Sequence, residues 1–344
     1  MREKRVGIAM SGGVDSTACA LLLREHFEIE GFFMHLAQPD FAQQEKKVSS
    51  IAKKLGIKLT VIDLRHDFEQ KVLNYFSSSY LAGYTPNPCV VCNREIKFGL
   101  FMEKILNCGM DKIATGHYAR ITKDDDKYRL YSGVDSKKNQ SYFLSRLDQA
   151  QLSRILFPLG EQTKESTYMF VEQHGFDDFR GLESQDVCFL EEKNIGTFLE
   201  TYSPEVDSQG EILSTSGEIL GSHRGLFHYT VGQRKGLGIS SDSPLYVVAL
   251  DREKNSVIVG KNDELFKDTI TIKELHWLAG FHSSLGKEYT VQIRYSHRGA
   301  SATVSLKDNS HAVISFNEPQ RSIAPGQFAV IYDGPELLGS GIIV

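Results

Sequence analysis

The sequence predicts an α/β fold: a parallel sheet flanked by helices, followed by a small central β-rich domain and a C-terminal β-barrel. Three observations carry this. Strand-like and helix-like runs alternate from residue 5 to about residue 63, a glycine loop (SGGVDS) closes the first strand, and beyond about residue 200 the texture changes to short alternating runs punctuated by Gly, Asp, Asn and Pro. A chain of 344 residues exceeds one ordinary core, and the expected division is 1–200, 201–262 and 263–344.

The opening KRVGIAM alternates Val6, Ile8 and Met10 as a strand does, and TACALLLREHF after the glycine loop reads as a helix with an apolar face. IEGFFMHL is a second strand, FAQQEKKVSSIAKKLGI a helix ended by Gly56, and KLTVIDL a third strand. A helix through DFEQKVLNYFSSSYLAGY follows, then the segment that opens TPNPCVVCNRE, then the helix IKFGLFMEKILNCGM and the strand DKIATGHY. In the C-terminal part, GEIL at 210–213 and again at 217–220 predicts a tight hairpin. EYTVQIRYSH, SATVSLKD, SHAVISF, GQFAVIYDG and GSGIIV read as strands of a barrel or sandwich.

Hydrophobic content of 41% and charged content of 24% are those of a soluble globular protein. No apolar run approaches the ~20 residues a membrane helix needs, and the N-terminus runs into a motif without a cleavable signal, so a cytoplasmic location with no membrane partner is expected. Five cysteines, an odd number in a long chain, do not make a disulfide framework; in a reducing cytosol they are packing, metal ligands or chemistry. A net charge of -5 argues against a protein that coats nucleic acid indiscriminately. Residues 221–238 nevertheless carry His223, Arg224, His228, Arg234 and Lys235 with no acid, a local positive patch suited to phosphates or simply a solvated loop.

SGGVDS lies where an open α/β sheet binds ligands, at the carboxyl end of the first strand and on a helix N-terminus. Gly12 and Gly13 let successive N–H groups turn inward as an anion nest, with Ser11, Ser16 and Thr17 as further donors. The lysine of GxxxxGK[ST] is missing, so the loop does not suit the β- and γ-phosphates of a Walker-type hydrolase. Asp15 either helps place a Mg²⁺ ion and orient Ser16 or merely complements the helix dipole.

The loop resembles the SGG-x-DS signature of the PP-loop ATP pyrophosphatases, which cleave ATP between the α- and β-phosphates. PNPCVVCNREIKF, ATGHYAR, KKNQSYFL, FPLGEQTK, SQDVCFL, HRGLFHYTVGQRKGLGI, VQIRYSHRG and APGQFAVIYDG then occur in the order seen in bacterial tRNA-specific 2-thiouridylases, from about residue 5 to the end. That resemblance implies a Rossmann-like PP-loop domain and two β modules, with ATP and Mg²⁺ as cofactors. It implies sulfur insertion at C2 of uridine 34 in tRNAs for Lys, Glu and Gln, with a cysteine desulfurase or sulfur-relay protein as partner. It assigns ATP contacts to Ala9, Met10, Ser11, Gly12, Gly13, Val14, Asp15, Ser16, Met34 and Gly116, and the target-base segment to Asn87, Pro88 and Cys89. tRNA contacts fall on His117, Lys138, Asn139, Gln140, Arg294, Tyr295 and Gln327. From the residues alone, His117 is equally a core histidine and Arg294 equally the solvated face of a strand.

By the same resemblance Cys188 is the persulfide carrier, and Cys92 is the nucleophile that attacks the persulfide and is left disulfide-bonded to Cys188. Taken by itself, Cys188 between Val187 and Phe189 reads as a small buried hydrophobe. Cys19 and Cys108 have only packing contexts. Two positions depart from the family: Cys89 and Asn139 stand where many members have aspartate. Cys89, Cys92 and Cys188 together would supply three thiolates to a [4Fe–4S] cluster, leaving a fourth iron open, and that alternative stays open at this point. A zinc site lacks a clear fourth ligand. A PP-loop amidotransferase or ligase is the other reading, one that needs no thiols at both 92 and 188.

Overall fold

The computed structural model describes residues 4–36, 38, 40–177, 179–180, 187–190, 195–202, 209–280 and 287–344. The alternating N-terminal pattern forms β1 (Arg5–Met10), α1 (Val14–Leu23), β2 (Glu28–His35), α2 (Phe41–Leu55) and β3 (Leu59–Asp63). Gly56 ends α2 in the left-handed conformation, φ 72°, as its place after the last apolar turn predicts. A helical run over 65–81, α3, contains a π-wound stretch at Glu69–Leu73. The next run, α4, spans 88–107, with Cys92–Phe101 wound in wider π turns and a kink at Gly99 (φ -95°, ψ -107°).

The sheet is completed by β4 (Lys112–Ala114) and, after the hairpin β5 (Ala119–Asp124) and β6 (Lys127–Ser132) and a short helix α5 (Gln149–Ser153), by β7 (Ile155–Leu156). Its order is β3-β2-β1-β4-β7 and every pair is parallel, the Rossmann-like sheet expected. Strand order reverses between β1 and β4, and there open α/β sheets leave a crevice at the carboxyl ends of their strands. One face is covered by α1, α2 and α6 (Lys164–Gln173), through Val14, Leu21, Val48, Ile51 and Val171. The other is covered by α3 and α4, through Phe68, Phe76, Ile96, Phe98, Phe101 and Ile105.

Beyond α7 (Ile195–Tyr202) the twin GEIL segments do form a hairpin, β8 (Gly210–Ser214) against β9 (Ile219–His223). With β10 (Tyr246–Asp251) and β11 (Ser256–Gly260) they make a four-stranded sheet, β10-β11-β8-β9. The last six strands are β12 (Phe266–Trp277), β13 (Glu288–Gln292), β14 (Ala300–Leu306), β15 (His311–Arg321), β16 (Phe328–Asp333) and β17 (Glu336–Ile343). They close on themselves because β12 pairs with both β15 and β17, giving the barrel.

Several elements were not expected from the sequence, among them β12 and the hairpin β5–β6, which leaves the parallel sheet and adds to the barrel edge through Leu130 opposite Leu337. One apolar cluster therefore runs from Phe32 and Ile105 through Tyr142 and Leu144 to Phe328, Val330 and Leu337. With roughly 1.5–3 kcal/mol gained per fully buried large apolar side chain, this continuous core holds the barrel against the α/β layer.

Candidate functional site

The glycine loop joins β1 to α1. Gly12 has φ 76°, a conformation glycine adopts without strain, and Gly13 is the N-cap of α1 without any side-chain cap. Ser16 and Thr17 are buried and turn their hydroxyls inward: both donate to the Gly13 carbonyl at 3.1 Å, and Ser16 Oγ accepts the Ser11 N–H at 3.2 Å. These hydroxyls hold the loop's shape and are not the outward donors expected, leaving the loop amides and the more exposed Ser11 as the anion-facing groups. Met10 and Val14 are core side chains, 3% and 4% exposed, so their share in ligand contact is backbone only.

Asp15 does not touch Ser16. Its carboxylate lies 2.8 Å and 2.9 Å from Lys164 Nζ, at the start of α6, and accepts a 2.8 Å hydrogen bond from the Tyr118 hydroxyl. Burial, and then the Asp15 charge, push the Tyr118 phenol far up, so it stays a donor. With its oxygens held this way, Asp15 is not a ready magnesium ligand. Among the described residues no cluster of three or more His, Cys, Asp or Glu is arranged to hold a metal ion. Lys164 was quoted within FPLGEQTK but given no role; a lysine at a helix start, where the dipole disfavours a cation, was the available signal. Gly116, just past β4, packs so close that an added Cβ would lie 2.5 Å from the Asp15 Cβ. It thus packs directly on the first turn of α1, next to the glycine loop.

The cysteine segment is helical from its start. Asn87 is the N-cap of α4, accepting the Val90 N–H at 3.3 Å, and Pro88 takes the first helical position, where its missing N–H costs nothing. Three residues apart on this first turn, Cys89 and Cys92 share a face. Cys188 is exposed, while its neighbour Phe189 takes the buried place, edge-on to Phe68 and Phe76 at 5.8 Å and 5.2 Å between ring centroids. The small-buried-hydrophobe reading of Cys188 therefore fails.

Cys89, Cys92 and Cys188 lie close enough for their charges to interact. Burial pushes the Cys92 thiol up to about 12 and the Cys89 thiol up to about 11; Cys188 adds to both shifts and Cys89 to that of Cys92. Burial of its sulfur also pushes the Cys188 thiol up, against the pull of Lys97, although the residue as a whole is exposed. All five cysteines are free thiols. The three sulfurs are neighbours, and among the described residues no group of three or more His, Cys, Asp or Glu is placed to hold a single metal ion.

One cation opposes the upward shift of all three thiols: Lys97, on the same helix. Its neighbours Arg94 and Lys71 are both paired with Glu95, whereas Lys97 has no carboxylate partner among the described residues. It was missed because a lysine in EIKFGLF reads as the polar side of a helix. Lys97→Met is expected to slow iodoacetamide alkylation of Cys92 at pH 8 by about three- to tenfold, the effect of a further rise of up to about one pKa unit. Peptide-resolved alkylation kinetics check this; an unchanged rate removes Lys97 from the site.

The expected tRNA contacts are mostly engaged within the protein. His117 is 8% exposed, its Nδ1 2.7 Å from Thr115 Oγ1 and its ring against Phe98 and Phe157; burial, then Lys97, hold it neutral. It is the core histidine of the alternative reading, satisfied by a hydroxyl. Asn139 bonds the Ser141 N–H and Ser132 Oγ, and Gln140 accepts the Tyr118 N–H. Lys138 is half-buried beside them. Arg294 donates to the Arg321 and Ser322 carbonyls, and Gln327 to the Thr85 and Pro86 carbonyls. Tyr295 presents surface, 40% exposed, with its ring 4.3 Å from that of Phe143. Ala9 and Met34 lie half-buried on β1 and β2.

Residues 115–117 tie the two halves together, since Gly116 abuts Asp15 of the glycine loop and His117 lies in the field of Lys97. Three family models match in tandem: a tRNA methyl transferase HUP domain over 4–192, a tRNA methyl transferase PRC-barrel domain over 196–261 and an aminomethyltransferase beta-barrel domain over 267–343. The tRNA-specific 2-thiouridylase MnmA of Desulfotalea psychrophila is 54% identical over 344 residues, spanning 100% of both chains. The chain belongs to the tRNA-specific 2-thiouridylase family. Two further 2-thiouridylases, from Syntrophomonas wolfei and Acetivibrio thermocellus, are 43% and 40% identical; they span 98% and 100% of this chain and 99% and 100% of their own. Among solved structures, a predicted subunit of tRNA methyltransferase from Methanocaldococcus jannaschii covers 49% of this chain and 74% of its own at 18% identity. Its TM-score of 0.33 is too low to bear on fold or function. Among the described residues of this chain no helix is long and apolar enough to cross a membrane.

Proposed function

We propose that this chain is a tRNA sulfurtransferase that adenylates the C2 carbonyl of uridine 34 and replaces that oxygen with sulfur, in tRNAs for Lys, Glu and Gln. The observation that supports it best is the run 115–117: Gly116 packs on Asp15 of the glycine loop, and His117 lies in the field of Lys97, the cation that also acts on the three thiols. A uridine C2 carbonyl is urea-like and its oxygen a poor leaving group. Attack by that oxygen on the α-phosphorus of ATP expels pyrophosphate and leaves O-linked AMP, which departs readily. The amides of residues 11–13 and the N-terminus of α1 receive the pyrophosphate, with Ser16 and Thr17 keeping the loop in shape.

A cysteine desulfurase or relay protein loads Cys188, whose exposure suits delivery by another protein. The Cys92 thiolate attacks Sγ of the Cys188 persulfide, the bond to the outer sulfur breaks, and hydrosulfide leaves. Hydrosulfide adds to C2, AMP departs with the C2–O electrons, and a disulfide joins Cys92 to Cys188 until an external dithiol reduces it. Mg²⁺ enters with the nucleotide phosphates, and no step is assigned to it or to an iron–sulfur cluster. Working modules that divide near residues 200 and 262, and a cytoplasmic place beside tRNA and the sulfur donor, belong to the same proposal.

Incubation with tRNA, ATP, cysteine, a desulfurase and dithiol is expected to give AMP, pyrophosphate and 2-thiouridine in stoichiometric amounts after nuclease digestion. Adenylation without 2-thiouridine, with nitrogen incorporated from ammonia, would sink the reading in favour of a ligase. Iron and sulfide quantification after anaerobic purification is expected to show neither.

A further inference from the structure

Cys89 is preceded by Thr85–Pro86–Asn87–Pro88, a segment in which two of four residues have no N–H. The carbonyls of Thr85 and Pro86 stand just outside α4, where no helical donor reaches them, and half-buried carbonyls without donors are costly. Gln327 supplies the donors. Its Nε2 lies 2.9 Å from the Thr85 carbonyl and 3.3 Å from the Pro86 carbonyl, so both amide hydrogens are used. In the other direction the Thr85 N–H donates to the Pro325 carbonyl at 2.8 Å.

The far side of this contact is rigid. Gly326 N–H donates to the Ile343 carbonyl and Ile343 N–H to the Gln327 carbonyl, both at 2.9 Å, which fixes the turn to β17. The Phe328 carbonyl accepts the Tyr142 hydroxyl at 3.0 Å. Gly326 has φ 92°, and a Cβ there would stand 2.8 Å from the Tyr84 Cβ and 3.0 Å from the Thr85 nitrogen, so the two backbones meet with no room for a side chain. The near side ends at Asn87, the N-cap that sets the direction of the turn carrying Cys89 and Cys92.

We infer that Gln327 is a positioning residue: its amide latches the C-terminal barrel to the start of the cysteine helix and so sets where Cys89 and Cys92 stand. This goes beyond a tRNA contact and rests on the proposed function only in taking Cys92 as the nucleophile. It also sets the expected kinetic signature. A residue that only touches RNA changes tRNA affinity, whereas one that aims the nucleophile changes turnover.

The test is Gln327→Leu, which keeps bulk and removes the donor, alongside Gln327→Glu, which turns an acceptor toward two carbonyls. In each, without RNA, amide hydrogen exchange across 87–93 is expected to quicken about tenfold and iodoacetamide labelling of Cys89 and Cys92 to change at least about threefold. Single-turnover thiolation is expected to fall about tenfold with the tRNA dissociation constant within about twofold of wild type. Weaker tRNA binding with exchange and labelling unchanged would overturn the latch. Should Gln327→Leu fail to fold, Gln327→Asn, whose amide is one methylene too short to reach, takes the same measurements. A wild-type protein that makes no 2-thiouridine counts against the proposed function alone, because exchange and labelling still decide the latch.

Discussion

Cys92→Ser and Cys188→Ser each abolish 2-thiouridine formation, a loss of at least about 10³-fold, while tRNA-dependent release of pyrophosphate continues. Serine preserves the size of the side chain and its place on the first turn of α4 or beside Phe189, but an alkoxide forms neither a persulfide nor a disulfide. In the proposed reaction the nucleotide is handled by the glycine loop, where Asp15 is held by Lys164 and packed against Gly116, and neither cysteine takes part in that step. Cys108→Ser is the control: that residue is exposed, apart from the other thiols, and its replacement leaves both steps unchanged. The raised thiol adds a pH signature. With Cys92 pushed up to about 12, its thiolate is scarce at neutral pH, so sulfur release should keep rising with pH, about tenfold per unit, well past the ordinary cysteine range. Thiolation retained by Cys188→Ser would remove the persulfide carrier from the mechanism, and a rate that levels off near pH 8 would show that Cys92 is not the group that limits it.

How far such a site can be read from sequence depends on whether its determinants are local. SGGVDS is local: the nest, the helix start and the strand before it sit within a dozen residues, and they form as expected. Asn87–Pro88 carried an equally local signal, an N-cap followed by proline, that Cys89 and Cys92 lie inside a helix and not in a loop before it. Non-local pairings were out of reach. The hairpin β5–β6 finds its partner β17 about two hundred positions later, and nothing in ARITKDDDKYRLYS announces it. Which of two adjacent apolar residues takes the buried place is not legible locally: Phe189 does, and Cys188 beside it is exposed. Asn139, Gln140, Arg294 and Gln327, which the family resemblance assigns to tRNA, each also bond a backbone group of the chain, and that pairing is not legible in the sequence. Cys89, the departure from the family, stands near Cys92 and Cys188, a proximity that the sequence, with 96 positions between Cys92 and Cys188, does not show.

Gly116→Ala is expected to be the most damaging single methyl group near the nucleotide. Its Cβ would lie 2.5 Å from the Asp15 Cβ and 3.0 Å from the Asp15 carbonyl carbon, and neither is the far end of a flexible side chain that can swing away. Either the loop after β4 or the first turn of α1 must move. Moving α1 drags Asp15 off Lys164 and Tyr118, and tilts the amides that form the nest. Overpacking of this kind costs about 1–3 kcal/mol of stability, and a displacement near 1 Å at a positioning site costs on the order of 10² in rate. ATP affinity measured by calorimetry and tRNA-dependent pyrophosphate release should therefore both fall steeply, whereas alkylation of Cys188, held by Phe189 in a different packing layer, should not change. The paired outcome separates the nest from the thiols. Were Gly116→Ala to bind ATP as wild type does, the loop after β4 would not be part of the nucleotide site, and the link between nest and thiols through residues 115–117 would lose its basis.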